Sequence, residues 1–388
     1  MTDRWRPTGV DLFSGVGGMS LGFEQAGFEV IAAVDIEQIH VNTYLQNFPS
    51  CQVRCMDLSG VSGTAIRKET GIGTAHLDVV LAGSPCQGFS LIGKRLREDP
   101  RNLLLYDLAR LITELMPSYF VVENVGGILL GDAKRVLDEF VTRVERSGYR
   151  VIKPIQVLDA AEFGVPQRRR RVFLLGSLEG LVPPKYPRAL HPDGNCRGAQ
   201  RPNVWDAIGD LPDVEKYDYL LEIDDYRGLL GEASAYARVL RGETRDEADS
   251  LPQRSSNGHG LGGCLRTVHT PETIKRFKAT EPGSVELVSR YYRLSKEGLS
   301  PTIRAGTGPA QGSFMAPRPI HPVRDRCITV REAARLHSFP DWFRFHPTKW
   351  HGFRQIGNSV PPWLARAVAQ CIRRAVDDSE RGSNHVKR

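Results

Sequence analysis

Cys86 stands in Gly83-Ser84-Pro85-Cys86-Gln87-Gly88-Phe89-Ser90, directly after the apolar run Leu77-Asp78-Val79-Val80-Leu81-Ala82. That run reads as a buried strand closed by glycine. Ligands of an α/β sheet bind beyond the carboxyl ends of its strands, so the thiol falls where chemistry is done. A cysteine in a glycine-flanked loop at such a place has the setting of a nucleophile; the alternative is a small buried hydrophobe that only packs. Glu123-Asn124-Val125 follows a second run, Tyr119-Phe120-Val121-Val122. A carboxylate after four apolar strand residues is costly unless it is paired or functional, and it too lies at a carboxyl end, where it can share a pocket with Cys86. Its alternative is a capping or ion-paired glutamate.

Gln167-Arg168-Arg169-Arg170-Arg171 leads into the apolar Val172-Phe173-Leu174-Leu175. A charge run is usually a solvated face or a phosphate patch. Entry into a strand changes that, because alternation puts Arg169 and Arg171 on one side and Arg168 and Arg170 on the other. Val10-Asp11-Leu12-Phe13-Ser14-Gly15-Val16-Gly17-Gly18 is a strand entering a glycine-rich turn and a helix, a setting that brings free amides close to a ligand. The dinucleotide fingerprint would need glycine at Ser20, so a nicotinamide site fits poorly. Asp35 ends the next strand, placed for ribose hydroxyls, and adenosine with a tail other than phosphate fits this turn better than a dinucleotide. The bland alternative is a tight turn and a surface aspartate.

Positioning these groups requires alternating elements. Apolar runs at 9–13, 29–34, 77–82, 119–122, 151–157 and 172–175 read as strands, with helical periods at 18–26, 38–48, 102–116 and 132–146 between several of them. Such alternation gives βαβ units and a mostly parallel, doubly wound α/β sheet covered on both faces. After Ser177, Gly and Pro breaks crowd the chain to about Val323, and a helical period is sustained only around 217–240. Residues 178–323 are therefore expected to form a smaller, irregular domain, and 1–177 with 324–388 the larger one. Thr329 and Glu332 fit a capping box, residues 361–376 a closing helix started by prolines, and 377–388 a frayed end.

The chain has 388 residues, 40% hydrophobic and 25% charged, with a net charge of +7 that tilts mildly toward a polyanionic partner. Seven cysteines, an odd number, fit a reducing compartment better than a disulfide framework. Cys51 and Cys55 lack a second Cys or His pair at zinc spacing, so no metal site is expected. The sequence has no signal-peptide pattern and no run long enough to span a bilayer, and a cytoplasmic protein without membrane contact is expected.

Taken in order, six blocks resemble the DNA cytosine-5 methyltransferases: 11–18, Pro85-Cys86-Gln87, Glu123-Asn124-Val125, 167–171, 326–340 and Gly357-Asn358-Ser359-Val360. The resemblance implies a Rossmann-like S-adenosylmethionine-dependent methyltransferase domain, with the irregular middle as a target-recognition domain that reads bases. It implies methyl transfer to carbon 5 of cytosine in a specific duplex DNA sequence. Cys86 would add to carbon 6 of a flipped-out base, Glu123 would act as general acid at ring nitrogen 3, and Arg171, supported by Arg169, would hold the ring carbonyl oxygen. Around S-adenosylmethionine it sets Phe13, Gly15, Val16, Gly18, Asp35, Ile36, Asp57, Pro85, Asn358 and Ser359, with no metal. Ile36 stands where many relatives carry an aromatic, and Asp57 lies in the short block Cys55-Met56-Asp57-Leu58. Lys94, Arg95 and Arg97 make 89–99 a candidate basic lid. The partners implied are double-stranded DNA and a cognate restriction endonuclease linked by function, with the enzyme itself a monomer. A tRNA cytosine-5 methyltransferase is the alternative, against which the long middle region argues; a non-catalytic relative would be expected to lack Cys86 or Glu123. Arg254, Arg266 and Arg304, in turn-rich settings, are candidates for reading guanine.

Overall fold

The computed structural model describes residues 5–84, 100–191, 201–252, 260–306 and 318–386, and among these the apolar runs assemble into one eight-stranded sheet. Its strands are β1 (Thr8–Leu12), β2 (Glu29–Asp35), β3 (Gln52–Cys55), β4 (Val79–Gly83), β5 (Tyr119–Asn124), β6 (Tyr149–Val151), β7 (Gln156–Asp159) and β8 (Arg170–Leu178). They lie in the order β3-β2-β1-β4-β5-β8-β6, with β7 also on β8. The first five are parallel, while β8 runs antiparallel to β5, β6 and β7. The antiparallel turn of β8 brings its first residues beside the carboxyl end of β5, pairing Glu123 with Phe173 and Asn124 with Val172.

Alternation along these strands builds two cores. Val79, Leu81, Tyr119, Val121, Phe173 and Leu175 face one layer; Val80, Ala82, Phe120, Val122, Val172 and Leu174 face the other. The second layer is covered by α3 (Gly63–Glu69), α4 (Pro100–Leu115) and α5 (Gly131–Arg146), through Ile66, Leu108, Ile112, Leu137 and Phe140. The first is covered by α1 (Gly18–Gln25), α2 (Gln38–Asn47) and α11 (Pro362–Val386). At Gly22 the α1 and α11 backbones nearly touch: a Cβ there would lie 2.5 Å from the Ala365 Cβ and 2.6 Å from the Pro362 carbonyl oxygen. The fold is thus the doubly wound α/β arrangement that the alternation predicts.

The remaining helices are short: α6 (Val204–Ile208), α7 (Ala235–Arg241), α8 (Pro271–Lys278), α9 (Val330–Leu336) and α10 (Lys349–Asn358). Thr329 and Glu332 do form the reciprocal cap that starts α9. Buried arginines of α9 then tie the irregular region to it. Arg335 meets Asp341 at 2.6 Å and Asp210 at 3.2 Å, and Arg331 donates to the carbonyls of Gly262, Pro340 and Phe343. A buried cation left unpaired would be strongly destabilising, and both of these have acceptors.

Three expectations need correction, and one strand, β3, was not expected. The strand expected over 151–157 is divided into β6 and β7, separated by a cis Lys153-Pro154 bond. The helix expected around 217–240 is replaced by 3-10 turns at Val214–Lys216 and Asp218–Leu221 and by α7. There Tyr217 and Tyr226 pack edge to face, 5.1 Å apart, over a small core of Val214, Leu220, Leu261 and Cys264. β3 has one buried residue, Val53, and carries no alternation for a pattern to reveal. Residues 377–386 continue α11 instead of fraying, because Ser379 is held by the Tyr119 hydroxyl and the Val182 amide, each 2.9 Å away.

Candidate active site

The turn from β1 to α1 has a backbone of uncommon shape: Phe13, Gly15 and Gly17 have φ of 62, 55 and 90°. Positive φ is cheap for the two glycines and strained for Phe13, the kind of strain that gathers at ligand sites. A Cβ on Gly15 would meet nothing within 4 Å, so the loop borders open space. Asp35, at the end of β2, stabilises the turn by accepting from the Gly15 amide at 2.8 Å, the Glu37 amide at 2.9 Å and His40 Nδ1 at 3.2 Å. Burial, the largest single influence, pushes this carboxyl up, but His40 and the two amides together outweigh it and hold it below the ordinary range. Ile36, next in sequence, is 62% exposed, an apolar surface left open beside a charged one. Val16 is buried. Asp57 is exposed beyond β3 and accepts from the amide and hydroxyl of Ser59.

Beneath the turn lies a buried polar chain. Ser20 donates to Asp11 at 2.5 Å, and Tyr44 donates to Ser20 at 2.7 Å. Burial pushes the Asp11 carboxyl up to about 7, against the Ser20 hydrogen bond.

The closing segment returns to this turn. A Cβ on Gly18 would stand 2.5 Å from the Val360 carbonyl oxygen and 3.0 Å from the Ser359 Cβ, so only glycine admits the approach. Asn358 is exposed and Ser359 is buried. Arg169 fixes this contact: fully buried, it donates to the carbonyls of Gly357 and Ser359 at 2.8 Å each and of Ile303 at 3.1 Å. His337 reaches the Ser359 carbonyl at 3.0 Å through Nε2, and its Nδ1 is 3.0 Å from Gln167 Nε2. Burial, then the nearby Arg169 charge, hold this imidazole far below its ordinary value, so it stays neutral.

The strand alternation predicted for the arginines is present, with Arg168 and Arg170 exposed, Arg169 buried and Arg171 half-buried. Arg171 Nε lies 2.8 Å from the buried Glu123 carboxylate. Burial pushes the Glu123 carboxyl up, and Arg171 and then Arg169 pull it back only in part, so it remains above the ordinary glutamate value. Burial can raise a carboxyl by up to roughly 3–5 units, against roughly 1–3 of lowering by a neighbouring guanidinium, so this outcome is physically ordinary. The other carboxylate oxygen faces Gly83 at the end of β4, where a Cβ would stand 3.8 Å away. Asn124 donates to the Ser84 hydroxyl at 3.0 Å and fixes the start of the cysteine loop. The site therefore sets a buried carboxyl of raised proton affinity beside a guanidinium.

Pro85, Cys86, the segment 89–99 and Arg254 lie outside the described residues. Arg266 is engaged by Asp218 at 2.8 Å, while Arg304 is exposed, next to Ile303. Three contributors escape sequence reasoning. Asn124 is signalled only by its place after Glu123; His40 and His337 sit in helical or turn segments, and their partners are found only by folding. Among the described residues, no group of three or more His, Cys, Asp or Glu could hold a metal, and no helix is long and apolar enough to cross a membrane.

Comparison with known proteins adds to this geometry. The profile of the C-5 cytosine-specific DNA methylases matches residues 8–374. The Type II methyltransferase M.XorII of Xanthomonas oryzae pv. oryzae is 50% identical over 371 residues, covering 96% of this chain and 85% of that one. M1.HphI of Haemophilus parahaemolyticus, also a Type II methyltransferase, is 33% identical, covering 94% of this chain and 86% of its own. A solved prophage-encoded protein of E. coli, described as a DNA modification methyltransferase, superposes with a TM-score of 0.77 at 32% identity, over 96% of this chain and 99% of that one. The Dnmt2 methyltransferase of S. pombe, at 18% identity and a TM-score of 0.56 over 96% of this chain and 99% of its own, shares the fold.

Proposed function

This chain belongs to the C-5 cytosine-specific DNA methylases and is a DNA (cytosine-5)-methyltransferase of the restriction-modification type, and on that footing we propose the residues and steps by which it acts. Its methyl donor is S-adenosylmethionine, and its target is a cytosine in a specific duplex sequence, swung out of the stack because carbon 6 is hidden in a duplex. The observation that carries the proposal is the buried Glu123–Arg171 pair at the shared end of β5 and β8, next to the strand that leads to Cys86.

The first turn fits the donor: open space at Gly15, a carboxylate at Asp35 and an apolar surface at Ile36 suit an adenosine carrying an amino-acid tail. Phe13, Gly15, Val16, Gly18, Asp35, Ile36, Asp57, Pro85, Asn358 and Ser359 would hold it, with Asp35 on the ribose. When bound, it supplies an electrophilic methyl group. Cytosine carbon 5 is a poor nucleophile, and addition of the Cys86 thiolate to carbon 6 turns it into the nucleophilic carbon of an enamine. Glu123, whose raised proton affinity suits an acid, delivers its proton to ring nitrogen 3, so negative charge does not accumulate on the ring. Arg171 donates to the ring carbonyl oxygen, and Arg169 acts through position by holding Gly357 and Ser359 against the cofactor turn. Once carbon 5 bears the methyl group, loss of its proton to a base, expulsion of the Cys86 thiolate and return of the nitrogen 3 proton to Glu123 restore the aromatic ring and the resting acid.

The irregular region 178–323 is assigned the recognition of sequence, and the sheet domain the chemistry. The enzyme works in the cytoplasm as a monomer, its modification matched by an endonuclease that cuts the unmodified site. Bisulfite sequencing of plasmid DNA from cells expressing the protein tests this: methylated cytosines are expected in one sequence context and absent in cells lacking it. Unmodified DNA, with methylated tRNA instead, refutes the assignment of substrate.

A further inference from the structure

Leu287 is 83% and Val288 is 69% exposed, at the tip of a tight turn in the irregular region. Val285 and Tyr292 bridge its arms, the Glu286 amide donates to the Tyr291 carbonyl at 2.8 Å, and the Arg290 amide to the Glu286 carbonyl at 2.9 Å. The turn is rigid for a definable reason. The Glu286 side chain is buried under it, accepts from the Val288 amide at 3.0 Å and from the amide and hydroxyl of Ser289, and lies 3.4 Å from Arg276 of α8. The base of the turn rests on a small core of Phe277, Ile320 and Cys327, against which Tyr291 packs. Two large apolar side chains are thus held out in water by a buried carboxylate and a private core, an arrangement that makes sense if something covers them.

Charge identifies what that is. Another exposed apolar group, Ile223 and Leu229, lies in a stretch with four carboxylates, Asp218, Glu222, Asp224 and Asp225, and one cation, Arg227, a less favourable setting for a polyanion. Leu287 and Val288 instead stand with Arg290, and α8 beside them carries Lys275, Arg276 and Lys278 in its last turn. The same stem leads to the active site: the chain runs on to Ser300, which bridges Gln167 and accepts from the Arg168 amide at 2.9 Å. A finger with an apolar tip and basic flanks, on a stem that pairs with the segment leading to Arg169 and Arg171, fits duplex DNA: bases at the tip, phosphates at the sides.

We propose that Leu287 and Val288 read thymine by contact with its 5-methyl group in the groove, while Lys275, Lys278 and Arg290 lie along the backbone. This rests on the assignment of duplex DNA as substrate. Once the methylated sequence is known, each thymine in and beside it is replaced singly by deoxyuridine, which removes only that methyl group. At one or two positions the replacement should lower wild-type kcat/KM by about fourfold to tenfold, the effect of one methyl-sized apolar contact. The Leu287→Ala/Val288→Ala variant should be slowed on the thymine duplex by a similar factor and be insensitive to deoxyuridine there, and Leu287→Met should restore sensitivity. Both side chains are exposed, so melting temperature and S-adenosylmethionine binding, measured by titration, should be unchanged. Wild-type indifference to deoxyuridine everywhere, or equal sensitivity in the alanine variant, overturns the inference while leaving wild-type methylation in place. A wild-type protein that methylates no duplex overturns the functional assignment itself.

Discussion

Replacing Glu123 by glutamine tests the proposed chemistry most directly, because it keeps the contact with Arg171 while removing the proposed proton donation. Arg171 Nε donates to one carboxylate oxygen at 2.8 Å, and a glutamine carbonyl oxygen can accept the same bond. The amide can still donate to ring nitrogen 3 but cannot give up its proton. Loss of a general acid is expected to slow methyl transfer about a hundredfold, which is about 2.7 kcal/mol of transition-state stabilisation. Because the Glu123 carboxyl is raised by burial, the wild-type rate should also fall as pH rises through its folded-state value, and this limb should vanish in the variant. The sign in stability follows from the same shift. A carboxyl raised on folding stabilises the protein below its unfolded value, and that contribution is lost as pH rises through the folded one. The stability of Glu123→Gln relative to wild type should therefore increase with pH. The assay is single-turnover transfer of tritiated methyl across pH, beside thermal melts and cofactor titration. Turnover within a few-fold of wild type, or an intact alkaline limb, refutes the acid role and leaves Glu123 a structural partner of Arg171.

Cys86→Ala should abolish transfer while S-adenosylmethionine still binds, and a duplex carrying 5-fluorocytosine should trap the wild type covalently and the variant not at all; residual turnover of the variant refutes the nucleophile. Arg169→Lys leaves buried carbonyls among Ile303, Gly357 and Ser359 without a donor, and should lower stability by about 2–4 kcal/mol in calorimetry and weaken cofactor binding; an unchanged Tm refutes the clamp. On acidification, His321 and Glu332 should withdraw stability in two stages, the upper one set against the gain that the raised Asp11 carboxyl gives as pH falls below 7. His321, pushed down from 6.5 to about 4 mainly by burial, accounts for the upper stage, and Glu332, which Arg326 holds down from 4.5 to about 2 against its burial, for the lower. His321→Asn, whose side-chain oxygen can replace Nδ1 as acceptor for the Val323 and Arg324 amides, should lose less stability than wild type between pH 6.5 and 4 in melts; a variant that tracks wild type across that range refutes the assignment.

The parts legible in sequence are those set by periodicity or local chemistry. Strands such as 79–83 and 119–124 are apolar on both faces because both are covered, and the Thr329 cap is a contact between residues three apart. The side taken by each arginine before β8 follows from the strand period alone. The fate of Arg169 does not: its acceptors lie more than a hundred residues away, and nothing local marks Gly357 or Ser359 as their carbonyls. Tyr217, Tyr219 and Tyr226 lie in the stretch with a helical period, yet Tyr217 packs edge to face on the other two, since aromatic packing over Leu261 and Cys264 competes with a helix that would have to expose them. β3 is short and mostly exposed, held by its register with β2.

The close fit of α1 against α11 bears on how the molecule is made. One face of the sheet, with Leu21, Phe23 and Phe28, is sealed by Leu364, Val368 and Ile372 from the opposite end of the sequence. Pairings of such separation close late, because the entropy of a very long loop is lost before any contact forms. On the ribosome, the cofactor turn and the Glu123 pocket are assembled in sequence long before the helix that roofs them has been synthesised, and until then an apolar face stays open to solvent and chaperones. The segment 357–359, which Arg169 holds against the cofactor turn, also emerges only a few residues ahead of that helix. Competence to methylate is therefore expected only once α11 has been added to the chain.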